Sequence, residues 1–249
     1  MKLFKTEAAV LRTRELGEAD RLVTLLSRER GKINAVARGA RKIKSKLAAG
    51  VDLFTHGNYM LYQGKTLATV TQQEILETFA HLKEDPAAYA HALYFSELVD
   101  KVLVEEARSR KVLGLLIDAW RVLKEDRDFF LLARAFEIKL LSAVGYHPHF
   151  TACAGCNAEE KGYFSPGMGG LVCRSCAGKD LQARSFSGGA EKLVKYFMDH
   201  SFEEIGVVRG SPSQKSEIRD FTMGMIGYYL EVGECKSLKY IRRHFPDGE

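Results

Sequence analysis

The chain has 249 residues, of which 46% are hydrophobic and 28% charged, values usual for a globular protein in water. No apolar run approaches the roughly 18 residues that suggest a membrane-spanning helix. Lys2 and Lys5 interrupt the first segment too early for a signal peptide. We therefore expect a cytoplasmic protein, long enough for two small domains or one large one.

The formal net charge of +5 is concentrated in the N-terminal third. Residues 1–80 contain fourteen Lys and Arg against eight Asp and Glu, whereas the remainder contains twenty-three against twenty-four. A basic excess confined to one part of a chain indicates a polyanionic partner, most commonly nucleic acid. We expect the N-terminal part to make that contact.

The first eighty residues are interpreted as short strands. Aliphatic runs separated by turn residues predict five of them, at residues 8–11, 20–26, 32–37, 54–62 and 67–75. Five short strands suit a small closed barrel, and the OB-fold is the commonest five-stranded one; a five-stranded open sheet is the alternative. The prediction is an α+β chain of more than one domain, with an OB-fold nucleic-acid-binding domain at residues 1–80.

From Asp85 onward the apolar pattern becomes helical. Asp85 is a good N-cap and Pro86 suits a first helical position, and two further helices follow, the third starting after Asp128 and ending at Gly145. Helical spacing returns in the last third of the chain and ends near Gly233. We predict a helical domain at residues 81–249. It is interrupted at residues 147–182 by a segment that shows neither the periodicity of a strand nor that of a helix.

Four of the five cysteines lie in that interruption as two CxxC pairs. Sixteen residues separate Cys153 and Cys156 from Cys173 and Cys176, a spacing typical of zinc sites. Each pair lets a tight turn direct both thiolates at one tetrahedral ion. We expect one structural Zn²⁺ per chain, closed to substrate, and a zinc module at residues 147–182. Cys235 is expected to be a small half-buried side chain.

Two other interpretations of this region are less favourable. A thioredoxin-like redox pair needs one CxxC motif that opens a helix after a strand, which two paired motifs fit poorly. His147 and His149 lie near the first pair, but four cysteines complete a tetrahedral site without a further ligand. The histidines are therefore interpreted as bystanders.

Residues 30–51 contain seven basic side chains and no acidic one. Gly39 and its small neighbours predict a flexible loop between two strands, and such a cationic loop binds phosphates without regard to base sequence. The alternative is a solvated loop whose charges only aid solubility. Six residues are predicted to bind DNA: Lys32, Arg38, Arg41, Lys42, Lys44 and Lys46.

Two further features bear on nucleic-acid binding. Phe54, Tyr59 and Tyr62 are candidate stacking faces on the same barrel, although most aromatic residues of a barrel strand are core. If the loop is only a solvated face, the basic run near the C-terminus is the alternative source of DNA-binding charge, at Lys236, Lys239, Arg242 and Arg243.

The usual enzyme motifs are missing. Gly64-Lys65-Thr66 has the ending of a Walker A motif, but Tyr59 stands where its first glycine belongs. The sequence has no GxSxG, no HExxH and no GxGxxG that leads into a helix. The sequence thus gives no positive case for an enzyme.

Several motifs resemble the bacterial DNA repair RecO family. Residues 16–22, 30–32, 37–42 and 45–47 are similar to the N-terminal barrel of that family. The segment Gly145-Tyr146-His147-Pro148, the first cysteine pair and residues 169–173 resemble its zinc-binding region. The match runs in order over most of the chain and is weakest beyond about residue 185.

The resemblance implies an N-terminal OB-fold, a helical domain with a zinc module, and a recombination mediator in place of an enzyme. Members of the family bind single- and double-stranded DNA, anneal complementary strands and help RecA to load, together with RecR. They also contact the C-terminal tail of the single-stranded-DNA-binding protein. That acidic, Phe-ended tail would need an apolar hole beside a cation, and Arg121 and Lys124 are the candidates for that cation. Because some members lack the cysteines, zinc is implied to be supporting architecture.

Two other functions stay open at this point. A zinc-ribbon enzyme acting on nucleic acid, such as a nuclease, would need clustered carboxylates. After the barrel, the close acidic pairs are Glu159-Glu160 and Glu203-Glu204, and both are interpreted as solvated turns. An RNA-binding accessory protein shares the barrel and the basic loop, and competition between single-stranded DNA and RNA would distinguish it.

Overall fold

The computed structural model describes residues 2–103, 110–124, 127–230 and 232–245. The chain divides into two compact units, Met1–Lys124 with Cys235–Leu238 and Glu125–Glu234 with Lys239–Glu249, called here the N-terminal and the C-terminal unit. The first unit contains two long helices that the domain division at residue 80 would assign to the second part. No helix in the described part of the chain is long and apolar enough to cross a membrane.

The N-terminal unit is built on a closed five-stranded barrel. Its strands pair in the order β1-β2-β3-β5-β4, and β1 also pairs with β4 to close the ring. All pairings are antiparallel except the short one between β3 and β5. The predicted barrel is confirmed, and the alternative of an open sheet is wrong. The strands are β1 (Leu3–Leu16), β2 (Asp20–Ser27), β3 (Gly31–Ala37), β4 (Thr55–Tyr62) and β5 (Ala68–Thr78).

Small aliphatic side chains fill the barrel interior, with Tyr59 as its one buried ring within the described residues. The Tyr59 hydroxyl donates to the Gly50 carbonyl at 2.6 Å, and burial raises the pKa of this phenol. Phe54 is also buried, with a φ of 59°, and packs edge-on against Tyr89 and Trp120. The prediction that Phe54 and Tyr59 offer stacking faces is therefore wrong; Tyr62 is half-buried.

Two helices, α1 (Pro86–Val102) and α2 (Arg110–Val122), pack on the barrel and complete the N-terminal unit. The Asp85 carboxylate accepts a hydrogen bond from the Ala87 N–H at 2.8 Å, and Pro86 is the first helical residue, as predicted. Trp120 of α2 packs against Phe54 and Phe79 from the barrel side. These ring contacts fix the helices on the barrel.

The C-terminal unit combines helices with a small three-stranded sheet of order β7-β6-β8. Asp128 caps its first helix by accepting from the Leu131 N–H at 3.1 Å, and Gly145 follows that helix with a φ of +105°, both as predicted. The long helix α7 ends at Tyr229, before the predicted Gly233. The elements are α3 (Phe129–Ala143), β6 (Tyr163–Ser165), β7 (Gly170–Val172), α4 (Arg174–Ala177), β8 (Arg184–Ser185), α5 (Gly188–Asp199), α6 (Phe202–Ile205), α7 (Pro212–Tyr229) and α8 (Lys236–His244), the last of which begins in the N-terminal unit.

Aromatic packing joins the small sheet to the helices of the C-terminal unit. Phe164 of β6 lies 4.5 Å from Phe221 of α7, ring centre to ring centre, and Phe186 lies 5.5 Å from Phe221. All three rings are buried. The sheet that adjoins the cysteine pairs is therefore held against a helical core.

Candidate metal centre and nucleic-acid interface

The four paired cysteines converge in the C-terminal unit. Their Sγ atoms all lie within 4.8 Å of one another, and those of Cys156 and Cys173 are 3.7 Å apart. A tetrahedral ion with metal–sulfur bonds of about 2.3 Å needs sulfur separations of about 3.8 Å. None of the four cysteines forms a disulfide. The cluster is thus close enough to hold one metal ion.

The first cysteine pair lies in a tight turn that requires special backbone conformations. The Asn157 N–H donates to the Cys153 carbonyl at 2.8 Å, and Asn157 has a φ of 63°, a value that asparagine tolerates better than most residues. A Cβ atom at Gly155 would lie 2.9 Å from both the Cys176 Sγ and the Met168 Sδ. Only glycine lets the turn approach the second pair this closely.

The second pair is delivered by the β6–β7 hairpin and a single helical turn. Cys173 stands at the N-cap of α4, and Cys176 lies within that helix. The Ala154 N–H donates to the Leu171 carbonyl at 2.8 Å, which ties the first turn to β7. A Cβ at Gly170 would lie 2.3 Å from the His149 carbonyl, so this position also needs glycine.

The thiols of Cys153 and Cys176 differ in pKa. Burial raises the pKa of Cys153, but hydrogen bonds from the backbone N–H groups of Cys173, Gly155 and Cys156 lower it to about 6. The hydrogen bond with Cys156, together with burial, raises the pKa of Cys176 to about 12. A bound divalent cation removes this asymmetry because coordinated thiols are deprotonated.

Other nearby side chains do not join the cluster. His149 Nε2 lies 3.1 Å from the Thr151 hydroxyl, and neither His149 nor His147 belongs to the group of converging ligands. Cys235 is buried elsewhere. Among the residues that the structure describes, the four cysteines form the only such group of potential metal ligands.

The basic loop, defined as residues 38–48, follows β3 and is held on the β1–β2 turn. The Gly39 N–H donates to the Asp20 carboxylate at 2.7 Å, and the Arg41 N–H donates to the Ala19 carbonyl at 2.9 Å. The Arg41 guanidinium also donates to the Gly17 carbonyl at 2.9 Å and lies 3.0 Å from the Glu15 carboxylate. Arg41 thus positions the loop.

The remaining cations of the loop face solvent. Arg38, Lys42, Lys44 and Lys46 are exposed, and none of them forms an ion pair with any residue that the structure describes. Ile43, between two of these lysines, is fully exposed. The loop therefore presents a concentrated positive charge.

Lys32 has a different environment from the other predicted DNA-binding residues. Its side chain is 17% exposed, and its ammonium donates to the backbone carbonyl of Asp100 and lies 3.2 Å from the Asp100 carboxylate. Asp100 lies on α1. Lys32 thus links the barrel to α1.

Sequence reasoning missed the residues that hold this surface together. Asp20 accepts a hydrogen bond from the loop, Glu15 forms an ion pair with Arg41, and the Arg30 guanidinium lies 4.0 Å from the centre of the Phe4 ring. Arg30 was visible as a basic residue at a turn, but nothing local marks Phe4 as its partner. These contacts depend on strand pairing in the barrel.

Two further interpretations change with the structure. The Arg121 guanidinium is held by Glu77 through contacts of 2.6 and 3.1 Å and by Asp118 at 2.9 Å, so it has little capacity left for a partner's carboxylate. Glu203 and Glu204 are exposed, as predicted, but they lie in the one-turn helix α6 and not in a turn. The Glu204 carboxylate accepts from the Ser201 N–H at 2.8 Å as part of a capping box.

Comparison with known proteins gives matches along nearly the whole chain. Family models described as the N-terminal and the C-terminal part of recombination protein O match residues 1–79 and 83–239. A protein named DNA repair protein RecO from Roseiflexus sp. is 39% identical over 92% of this chain and 82% of its own length.

Two other relatives carry the same name. The protein from Symbiobacterium thermophilum is 39% identical over 88% of each chain. The protein from Alkaliphilus metalliredigens is 34% identical over 97% of this chain and 99% of its own. With both family models matched and this coverage, the chain belongs to the RecO family.

Proposed function

We propose that this chain is a DNA repair protein that binds single- and double-stranded DNA, anneals complementary strands and, together with RecR, helps RecA to load. Relatives of similar length are named for DNA repair. The observation that carries the proposal is the basic loop, in which the exposed Arg38, Lys42, Lys44 and Lys46 form no ion pair with a described residue. Such a surface binds phosphates regardless of sequence.

Annealing follows from the chemistry of this loop. Cations that contact the backbone screen the repulsion between two phosphate chains and leave the base edges free to pair. Neither effect needs nucleotide hydrolysis. The proposed activity is therefore that of a cytoplasmic mediator and not of an enzyme.

The six predicted DNA-binding residues take different parts in this proposal. Arg38, Lys42, Lys44 and Lys46 contact phosphates, with Arg38 able to hold two phosphate oxygens. Arg41 mainly positions the loop through Glu15 and the β1–β2 turn. Lys32, paired with Asp100, contributes chiefly to the fold. The C-terminal basic run stays the alternative site.

We also propose that the four-cysteine cluster holds one zinc ion. Thiolates are the ligands that structural zinc prefers, and the sulfur separations fit a tetrahedral ion. When bound, zinc supplies folding energy to the module and leaves no open coordination position for substrate. Cys153, Cys156, Cys173 and Cys176 are its proposed ligands.

The tail of the single-stranded-DNA-binding protein is a proposed partner as well. Its recognition needs an apolar hole beside Arg or Lys. Because Arg121 is occupied by Glu77 and Asp118, the surface for this tail is not assigned to Arg121.

Strand annealing without nucleotide tests the proposed function. Complementary strands, naked or coated with the single-stranded-DNA-binding protein, should pair faster with the wild-type chain than alone. The K42A/K44A/K46A variant should be slower on both. Annealing that requires ATP, or a variant as fast as wild type, would contradict the proposal. Preferential binding of RNA over single-stranded DNA would favour the RNA-binding alternative.

A further inference from the structure

A small cleft opens on the barrel, and no residue of the basic loop lines it. It has a volume of about 100 Å³ and lies where β3 meets the β4–β5 turn. Lys32 also lines the cleft, but its ammonium is held by Asp100. The other residues that matter for its chemistry are Phe4, Arg30, Ile33, Asn34, Gln63 and Thr66. All of them belong to the N-terminal unit.

A stacked cation forms one wall of the cleft. The Arg30 guanidinium lies 4.0 Å from the centre of the Phe4 ring, a distance typical of a cation–π contact. Arg30 is exposed and forms no ion pair with a described residue. Stacking on Phe4 holds the planar guanidinium in place, and a fixed guanidinium plane is a surface on which nucleic-acid bases stack.

The rim of the cleft carries amide and hydroxyl groups in place of carboxylates. The side-chain amide oxygen of Asn34 accepts a hydrogen bond from the Thr24 hydroxyl at 3.0 Å, which orients that side-chain amide. Gln63 and Thr66 are exposed, and their side chains make no hydrogen bond within the described residues. Amides both donate and accept, as base edges do. An apolar floor at Ile33, a planar cation and an amide rim match a nucleobase better than an isolated phosphate.

We propose that this cleft takes one base of a single DNA strand, stacked on the Arg30 guanidinium. This inference rests on the proposed DNA-binding function and adds a base subsite to it. From Asn34 to Arg38, the residue directly after β3, an extended chain advances about 13 Å. At a stacked rise of about 3.4 Å per nucleotide, that spans roughly four nucleotides, within the range of 4–16 per OB-fold.

The two contacts have complementary roles. The basic loop holds the phosphate backbone, while the cleft fixes one base and so prevents the strand from sliding. Because only one base in several is engaged, the other base edges stay free for pairing. A single fixed base also makes binding depend on the presence of bases and not only on charge.

The test compares a strand of twelve thymidines with a strand of twelve abasic sites of equal charge. Wild type should prefer the thymidine strand, and R30A should lower that preference roughly 5- to 150-fold, the range expected for stacking of one base. R30K keeps the charge but loses the plane, so it should retain the salt dependence and lose the preference. R14A, which removes an exposed cation elsewhere on β1, should leave the preference unchanged.

The outcomes separate this inference from the proposed function. Equal wild-type affinity for both strands, or an R30K variant that keeps the preference, would overturn the base subsite alone. Wild-type protein that binds neither strand would contradict the proposed function. Free thymidine monophosphate that binds with Arg30-dependent affinity, without any preference between the strands, would assign the cleft to a mononucleotide and overturn the inference.

Discussion

The four-cysteine cluster and the basic loop each bring several ionisable side chains together, but the cluster is mostly buried and the loop is exposed. Three of the four cysteines are buried, and hydrogen bonds from backbone N–H groups stabilise the Cys153 thiolate. Four loop cations are exposed and have no ion-pair partner among described residues. The cysteines have their partners within their own unit, whereas the four loop cations face solvent.

This difference helps to distinguish a group of side chains that stabilises the fold from a group that binds a partner. Buried groups must be compensated internally, because an uncompensated charge in the interior is costly. Exposed cations need no internal partner and contribute little to stability. The two regions are therefore distinguished by burial and by partners within the protein more than by residue type. Lys32 illustrates this point. It is a lysine like three of the loop cations, but its ammonium is paired with Asp100, and it therefore stabilises the fold.

The largest expected effect is the loss of a zinc ligand. C176S removes one of the four proposed ligands and should abolish zinc binding. The module should then lose much of its stability, since structural zinc contributes about 10–16 kcal/mol of apparent binding free energy in small peptides. Hydrogen exchange should accelerate across residues 147–182, while the barrel keeps its protection. C235S, a change at the buried cysteine outside the cluster, should retain zinc. Wild-type protein that contains no zinc after purification without chelator would contradict the assignment.

The next effect concerns the exposed charge of the loop. K42A/K44A/K46A should weaken binding to single-stranded DNA by about two orders of magnitude at 50 mM salt and far less at high salt. The loss should be equal for unrelated sequences, because backbone contacts carry no base information. Titrations with two unrelated oligonucleotides measure it. Unchanged folding stability is the control.

A smaller effect is expected at the glycine that lets the two cysteine turns meet. G155A places a Cβ 2.9 Å from the Cys176 Sγ, so the cluster must shift and zinc affinity should fall about 10-fold, the lower end of losses seen around metal ligands. G162A introduces the same atom into open space in the same module and should bind zinc normally. Competition with a chromogenic chelator measures both. Equal affinities would show that the turn has room to relax.

The smallest effect separates Lys32 from the loop. K32A removes the contacts with Asp100 and should lower the free energy of unfolding by about 1 kcal/mol, with little change in the salt dependence of DNA binding. K5A, which removes a largely exposed ion pair with Glu74, should leave stability unchanged. Denaturant unfolding of both variants measures the difference. A K32A protein of normal stability but flatter salt dependence would return Lys32 to the DNA-binding set.

Local patterns were sufficient for much of the fold and for the cysteine cluster. Aliphatic runs between turn residues predicted the barrel, and the cap residues Asp85 and Asp128 were predicted because their hydrogen bonds span only two or three residues. The CxxC spacing places each thiolate pair within one turn. These features depend on neighbours in the chain, which a sequence displays directly.

The rest depended on contacts between distant segments. Phe54 is buried because Tyr89 and Trp120 arrive from two helices, and no local pattern shows that. The partner of Lys32 is sixty-eight residues away. Arg30 stacks on Phe4 only because the barrel closes. Side-chain partners across such separations need the assembled fold.

The central claim is that phosphate binding resides in the basic loop. Its most direct test is the slope of the log of single-strand affinity against the log of salt concentration, for wild type, K42A/K44A/K46A and R174A/K179A/K192A. The last variant removes the same number of exposed cations from the C-terminal unit. At about 0.7 per phosphate neutralised, the loop variant should flatten the slope by roughly two, and the other should leave it unchanged. A folded loop variant with the wild-type slope would contradict the claim.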